Sequence, residues 1–189
     1  MSSGFGGAGV FNPASPSSHD STVALVVRDY IPPGARVLDI GGTARGFKAR
    51  AVLPAGASIT IVNPEPGVGA DVADISQLPL TEPPFHLAML FGVMMYIPRE
   101  ALVALLGTAK QRLRAGGVLL VAEPDPEGFV GAAEVWLKRI FTPHKTFHHY
   151  SAAEAREMLR GVGFTRFQDR PDLRPKYRQP PYYILAAGF

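Results

Sequence analysis

Side chains able to do chemistry follow apolar runs at several points in the chain. Residues 37–46 read VLDIGGTARG, an apolar run that delivers Asp39 to Gly41 and Gly42, followed by Thr43, Arg45 and Gly46. Glycine at such a turn permits positive φ and lets a ligand approach main-chain N–H groups, while a helix start beyond it adds partial positive charge. Roughly 20 residues on, where nucleotide folds place a group that holds two ribose hydroxyls, SITIV ends at Asn63, with Glu65 close behind. The pair Asn63-Pro64 reads equally well as a turn. ADISQLPL sets Asp74 before Leu78-Pro79, and FHLAMLFGVMMYIP carries Phe91 into an aromatic, sulfur-rich turn containing Tyr96. His144, His148 and His149 fall in one later stretch, and Glu123 ends another apolar run. Imidazole or phenol beside a reacting hydroxyl or ammonium can take its proton. The HxxxHH spacing also suits a metal, but its segment lacks a clear helical pattern and an adjacent acid, so no metal is expected.

Strands and helices in alternation must position these groups. STVALVVRDYI has apolar positions on one helical face and stops at Pro32-Pro33-Gly34. ARVLDI, SITIV, HLAMLFGV and VLLVAE are continuous apolar runs, as in strands buried on both faces, and ADVA is a short edge candidate. A helix is predicted from about Gly46 to Leu53 and another over PREALVALLGTAKQRLR, before Gly116-Gly117. SAAE, from Ser151 to Glu154, is a capping box opening a further helix that closes at Gly161 and Gly163. FTRFQD and YYILAAGF form a final antiparallel pair. The alternation predicts a mainly parallel sheet, with ligands at the carboxyl ends of the strands: after Ile40, Val62, Ala73, Phe91 and Ala122. Residues 1–17, rich in Gly, Ser and Pro, are expected to be a flexible arm, 18–189 a single domain, and 124–150 a lid over the pocket containing Phe129, Trp136, Phe141 and Phe147.

The 189 residues are 47% hydrophobic and 19% charged, an ordinary globular balance with enough chain for one core. The absence of cysteine excludes disulfides, thiolate metal sites and cysteine nucleophiles. No apolar run reaches the roughly 18–20 residues needed to span a bilayer, and no signal-peptide pattern opens the sequence, so a cytoplasmic location is expected. The net charge of +3 is concentrated late, from Arg156 to Arg178. Without an aromatic-plus-arginine recognition motif it reads as a solvated basic face rather than a nucleic-acid surface. RNA binding by this region is the rival reading, marked by steep salt dependence.

The succession from VLDIGG to GVGF resembles the class I S-adenosylmethionine-dependent methyltransferases, especially the small-molecule branch called methyltransferase type 11, over roughly residues 22–189. The order of six segments carries the resemblance. It implies an α/β, Rossmann-like fold: a mainly parallel seven-stranded sheet with an antiparallel last strand and helices on both faces. It also implies S-adenosylmethionine as cofactor, S-adenosylhomocysteine as product, and methyl transfer to a small organic or lipid-like molecule. Carried over residue by residue, Asp39, Gly41 and Gly42, with Thr43 beside them, would hold the methionine part. Asn63 would hold the ribose, Asp74 with Ile75 the adenine, and Phe91 would border the cofactor. His148, His149 or Tyr96 would position the nucleophile. The chain departs from the family pattern at Thr43 and Arg45, where glycine is usual, at Asn63, where an acid is usual, and at His86, Met95 and Tyr96. Those departures motivate an alternative in which the fold serves a non-methylating reaction, such as a cyclisation, or a binding role. A dinucleotide fingerprint with its middle glycine lost is a weaker reading of the same loop.

Overall fold

The computed structural model describes residues 22–48, 51–79, 81–125, 136, 146–174 and 182–189. The arm, residues 1–17, lies outside them, as do His144, Phe129, Phe141 and most of the segment expected to form a lid. Six strands, β1 (Arg36–Ile40), β2 (Ser58–Val62), β3 (Phe85–Phe91), β4 (Leu113–Pro124), β5 (Arg166–Asp169) and β6 (Tyr182–Gly188), form one sheet in the order β2-β1-β3-β4-β6-β5. β1 pairs in parallel with β2 and β3, and β3 with β4, whereas β6 runs antiparallel to both β4 and β5. The expected seventh strand is reduced to one parallel bridge, Val62↔Val72. There the Asp71 carboxylate accepts from the Ile61 N–H (2.7 Å), so a side chain takes a donor that a full ladder would pair with main chain.

Apolar side chains leave β1, β3 and β4 on both faces, which explains why these strands read as continuous apolar runs. On one face Leu38, Leu90, Leu119 and Val121 pack with Leu102 and Leu106 of α3 (Arg99–Arg112) and with Met158 and Leu159 of α4 (Ala152–Gly161). On the other, Val37, Leu87, Met89 and Leu120 meet Val23, Val26 and Val27 of α1 (Thr22–Tyr30), and Phe47 of α2 (Ala44–Lys48). Helices therefore cover both faces. α2 begins two residues earlier than its sequence pattern predicts because Thr43 caps it, and the chain is not helical from Ala51 to Pro54. The capping box at α4 forms as read: Ser151 Oγ accepts from the Glu154 N–H and the Glu154 carboxylate from the Ser151 N–H.

Four of the late basic residues, Arg156, Arg160, Arg166 and Arg170, serve the fold's own contacts. Arg170 donates to Asp29 (2.8 Å) and Asp172 (2.7 Å) and to the Tyr30 hydroxyl, tying α1 to the turn Pro171–Leu173. Arg156 pairs with Asp169, Arg160 lies over the Phe167 ring, and Arg166 donates to the Phe189 carbonyl. No helix among the described residues is long and apolar enough to cross a membrane.

His86 is structural. Its Nδ1 accepts from the Arg36 N–H (3.1 Å), which only the neutral ring can do, and burial, then the positive charges of Arg114 and Arg36, hold it below its ordinary value. The unfolded chain therefore binds more protons than the folded one just below the ordinary histidine value of about 6.5, and stability falls as pH drops through that value towards the lower folded one. Urea midpoints should decline as pH falls below about 6.5, and His86→Gln should flatten that slope.

Candidate functional site

The loop after β1 is shaped by what touches its glycines. Gly41 has a φ of 79° and donates its N–H to the Val62 carbonyl (2.7 Å). A β-carbon there would lie 2.3 Å from Val93 Cγ2, so side-chain space as well as backbone conformation requires glycine. At Gly42 a β-carbon would stand 1.9 Å from Asp39 Oδ2: the carboxylate of Asp39, only 8% exposed, is packed against the loop's main chain. Thr43 does not crowd this loop with its hydroxyl. Its Oγ1 accepts from the Gly46 N–H (2.9 Å) and its carbonyl from the Phe47 N–H (2.9 Å), so the family glycine is replaced by a helix cap. Arg45 is exposed.

Asn63 faces the same loop. Its Nδ2 donates to the Gly41 carbonyl (3.1 Å) and the Gly42 carbonyl (2.9 Å), and its Oδ1 accepts from the Glu65 N–H (2.9 Å). Beyond the Val72 bridge, Asp74 caps the turn Ile75–Gln77: Oδ1 accepts from the Ser76 N–H (2.7 Å), and Gln77 Oε1 accepts from the N–H groups of Ala73 and Asp74. The hydrogen bonds from Ser76 hold the exposed Asp74 carboxyl below its ordinary value, so it is an acceptor at neutral pH, while Ile75 is buried beneath it.

Across the sheet, β3 ends at the half-buried Phe91, and Gly92 donates to the Ala122 carbonyl (2.8 Å). The next two N–H groups, of Val93 and Met94, both donate to Glu123 Oε1 at 2.7 Å. Glu123 is 2% exposed and sits opposite Tyr183 in the β4–β6 ladder. The Tyr183 hydroxyl is buried without a hydrogen-bond partner among the described residues, and burial, then the negative charge of Glu123, push its phenol well above the usual range.

The segment from residue 146 runs along this turn. The His148 N–H donates to the Met95 carbonyl (2.8 Å) and the Tyr150 hydroxyl to the Ile97 carbonyl (2.8 Å). The rings of Tyr96 and Phe147 lie 5.4 Å apart, and those of His148 and Tyr150 are stacked at 6.2 Å. Met95, Glu123, Pro124, His148, His149 and Tyr150 line a small cleft open to solvent. The structure therefore brings His148 and His149 together, while Tyr96 stays exposed beside Phe147 outside that lining. No group of three or more His, Asp or Glu among the described residues is placed to hold a metal.

Two positions gain a role that spacing alone does not reveal. Glu123 reads as an acid ending an apolar run, and its grip on the β3 loop depends on strand pairing. Val93 joins the two halves of the site: its side chain meets Gly41, and its N–H is held by Glu123 beside the cleft.

No protein-family model and no curated protein matches the sequence. Solved structures do match. The methyltransferase SibL superposes with a TM-score of 0.60 at 18% identity, over 82% of this chain and 50% of its own. Human N-acetylserotonin methyltransferase in complex with S-adenosylmethionine superposes with 0.61 at 19%, over 82% of this chain and 48% of its own. An S-adenosylmethionine-dependent methyltransferase from Mesorhizobium loti gives 0.60 at 15%, over 90% of this chain and 99% of its own. The chain spans about half the length of the first two and nearly all of the third. It has the fold of the class I S-adenosylmethionine-dependent methyltransferases.

Proposed function

We propose that this chain is an S-adenosylmethionine-dependent methyltransferase acting on a small organic molecule. The observation that carries the reading is the junction at Val93, where a glycine cradle at the end of β1 abuts a turn whose other side forms a histidine-bearing cleft. Cofactor and acceptor must meet end to end, and this fold binds its ligands at the carboxyl ends of its strands. In this reading the loop after β1, with the buried Asp39 carboxylate packed against Gly42, faces the cofactor's polar end. Asp74 fits an amino group at the other end, being exposed, ionised and fixed by its own cap.

Bound S-adenosylmethionine supplies an electrophilic methyl group. In this reading the protein's part is to hold the acceptor in line and keep competing water away. On this reading His148 and His149, which line the cleft, accept the proton that an attacking hydroxyl or ammonium group must lose. The main chain of His148 is pinned to Met95 and its ring stacks on the tethered Tyr150, so it is held in one place. The described residues that line the cleft carry carboxylate, imidazole, phenol and thioether groups, and the Glu123 carboxylate among them favours a neutral or cationic acceptor over an anionic one. Incubation with methyl-labelled S-adenosylmethionine and a panel of small amines, phenols and carboxylates should give label transfer to the first two classes. No transfer to any member, with S-adenosylhomocysteine failing to raise the melting temperature, would reject the reading.

A further inference from the structure

We infer that Asn63 is the clasp of the glycine loop, a positioning residue, rather than its ribose hand; the binding arm of the test below rests on the cofactor reading above. A primary amide has two N–H donors and an acceptor oxygen, whereas a carboxylate at neutral pH only accepts. Asn63 uses its amide for both tasks: Nδ2 donates to two consecutive loop carbonyls, Gly41 and Gly42, and Oδ1 takes the Glu65 N–H. Its side chain therefore points back at the end of β1 and links the loop after β1 to the loop after β2. The link has a local cause. Glycine loses more conformational freedom on ordering than any other residue, so a Gly41-Gly42 turn with positive φ at Gly41 is held only by outside bonds. The Gly41 N–H already goes to the Val62 carbonyl, and Asn63 secures the carbonyl side of the same turn.

An aspartate here would face two carbonyl oxygens with no proton to offer. The acid usual at this position in the family is thus excluded by the loop's own carbonyls, and the departure at Asn63 is a change of task. Position 63 then offers opposite rankings under the two roles. A clasp works best with Asn, loses its bonds with Ala, and is repelled with Asp. A ribose hand works best with Asp, tolerates Asn, and fails with Ala.

The experiment compares the full chain with Asn63→Ala and Asn63→Asp by amide hydrogen exchange without ligand and by calorimetric titration with S-adenosylhomocysteine. Exchange at Gly41 to Ala44 should quicken at least about tenfold in the Ala variant and more in the Asp variant, while protection in β3 and β4 is kept, as the loss of two hydrogen bonds implies. S-adenosylhomocysteine affinity should follow the order Asn, then Ala, then Asp. Unchanged exchange in both variants, or an Asp variant that binds at least as tightly as the wild type, overturns the clasp. If the wild type binds no S-adenosylhomocysteine, the cofactor reading fails, and the exchange result still decides the role of Asn63. If the Asp variant does not fold, the Ala variant carries the same exchange criterion.

Discussion

Gly41→Val should abolish S-adenosylhomocysteine binding and destabilise the fold by about 2–5 kcal/mol, measured by urea denaturation. Two independent penalties act at this position. The φ of 79° is left-handed, where a residue with a β-carbon costs about 1–2 kcal/mol and a β-branched one is a genuine outlier. The first added carbon also lies 2.3 Å from Val93 Cγ2, and relieving such overpacking costs about 1–3 kcal/mol. Val93 has little freedom to retreat, because its N–H is fixed to Glu123 and its side chain packs against the α3–α4 core. Gly41→Ala should show the same direction with a smaller loss, and a companion Val93→Ala change should restore part of the stability but not the φ penalty. Full stability with intact binding in Gly41→Val would contradict this account of the loop.

Glu123→Ala is expected to cost about 2–4 kcal/mol and to lower turnover on any identified acceptor by at least tenfold. The Val93 and Met94 N–H groups both depend on Glu123 Oε1, and each buried donor left unmet costs about 1–3 kcal/mol. The total belongs in the lower part of the combined range because the adjoining cleft is open and water can reach part of the gap. Glu123→Gln keeps an acceptor oxygen at the same reach and should lose less, up to about 2 kcal/mol, the difference between charge-assisted and neutral hydrogen bonds summed over two donors. The pair of variants separates the acceptor role from simple packing. A Gln variant as damaged as the Ala variant would mean that the negative charge itself, which also acts on Tyr183, is what the site needs.

Much of this arrangement is legible in the sequence because it follows from local patterns. Three strands, β1, β3 and β4, read as unbroken apolar runs because each is buried on both faces, whereas β2 reads the same way but lies at the sheet edge with only Ile61 and Val62 buried; the order of the runs places the glycine loop at the end of β1. The Ser151–Glu154 capping box is local chemistry within one helical turn and forms as read. Gly41 and Gly42 are recognisable as loop glycines, but the reason for the second is not: it makes room for the carboxylate of Asp39, three residues earlier, which folds back over the turn. Thr43 reads as a departure from a glycine pattern and proves to be a helix cap, which shifts the start of α2. Asn63, Glu123 and Tyr150 each act on main-chain groups distant in sequence, so residue type gives the donors and acceptors while partners appear only once the strands are paired. The seventh strand fails at the edge, where a single bridge and the Asp71 carboxylate stand in for a ladder.

The most direct measurement of the central claim is isothermal titration of the wild-type chain with S-adenosylhomocysteine, alongside Asp74→Ala. The expected result is saturable one-to-one binding by the wild type, weakened at least about tenfold in the variant by loss of a charge-assisted contact. No binding heat from the wild type at millimolar ligand, or binding unaffected by loss of the Asp74 carboxylate, would contradict it.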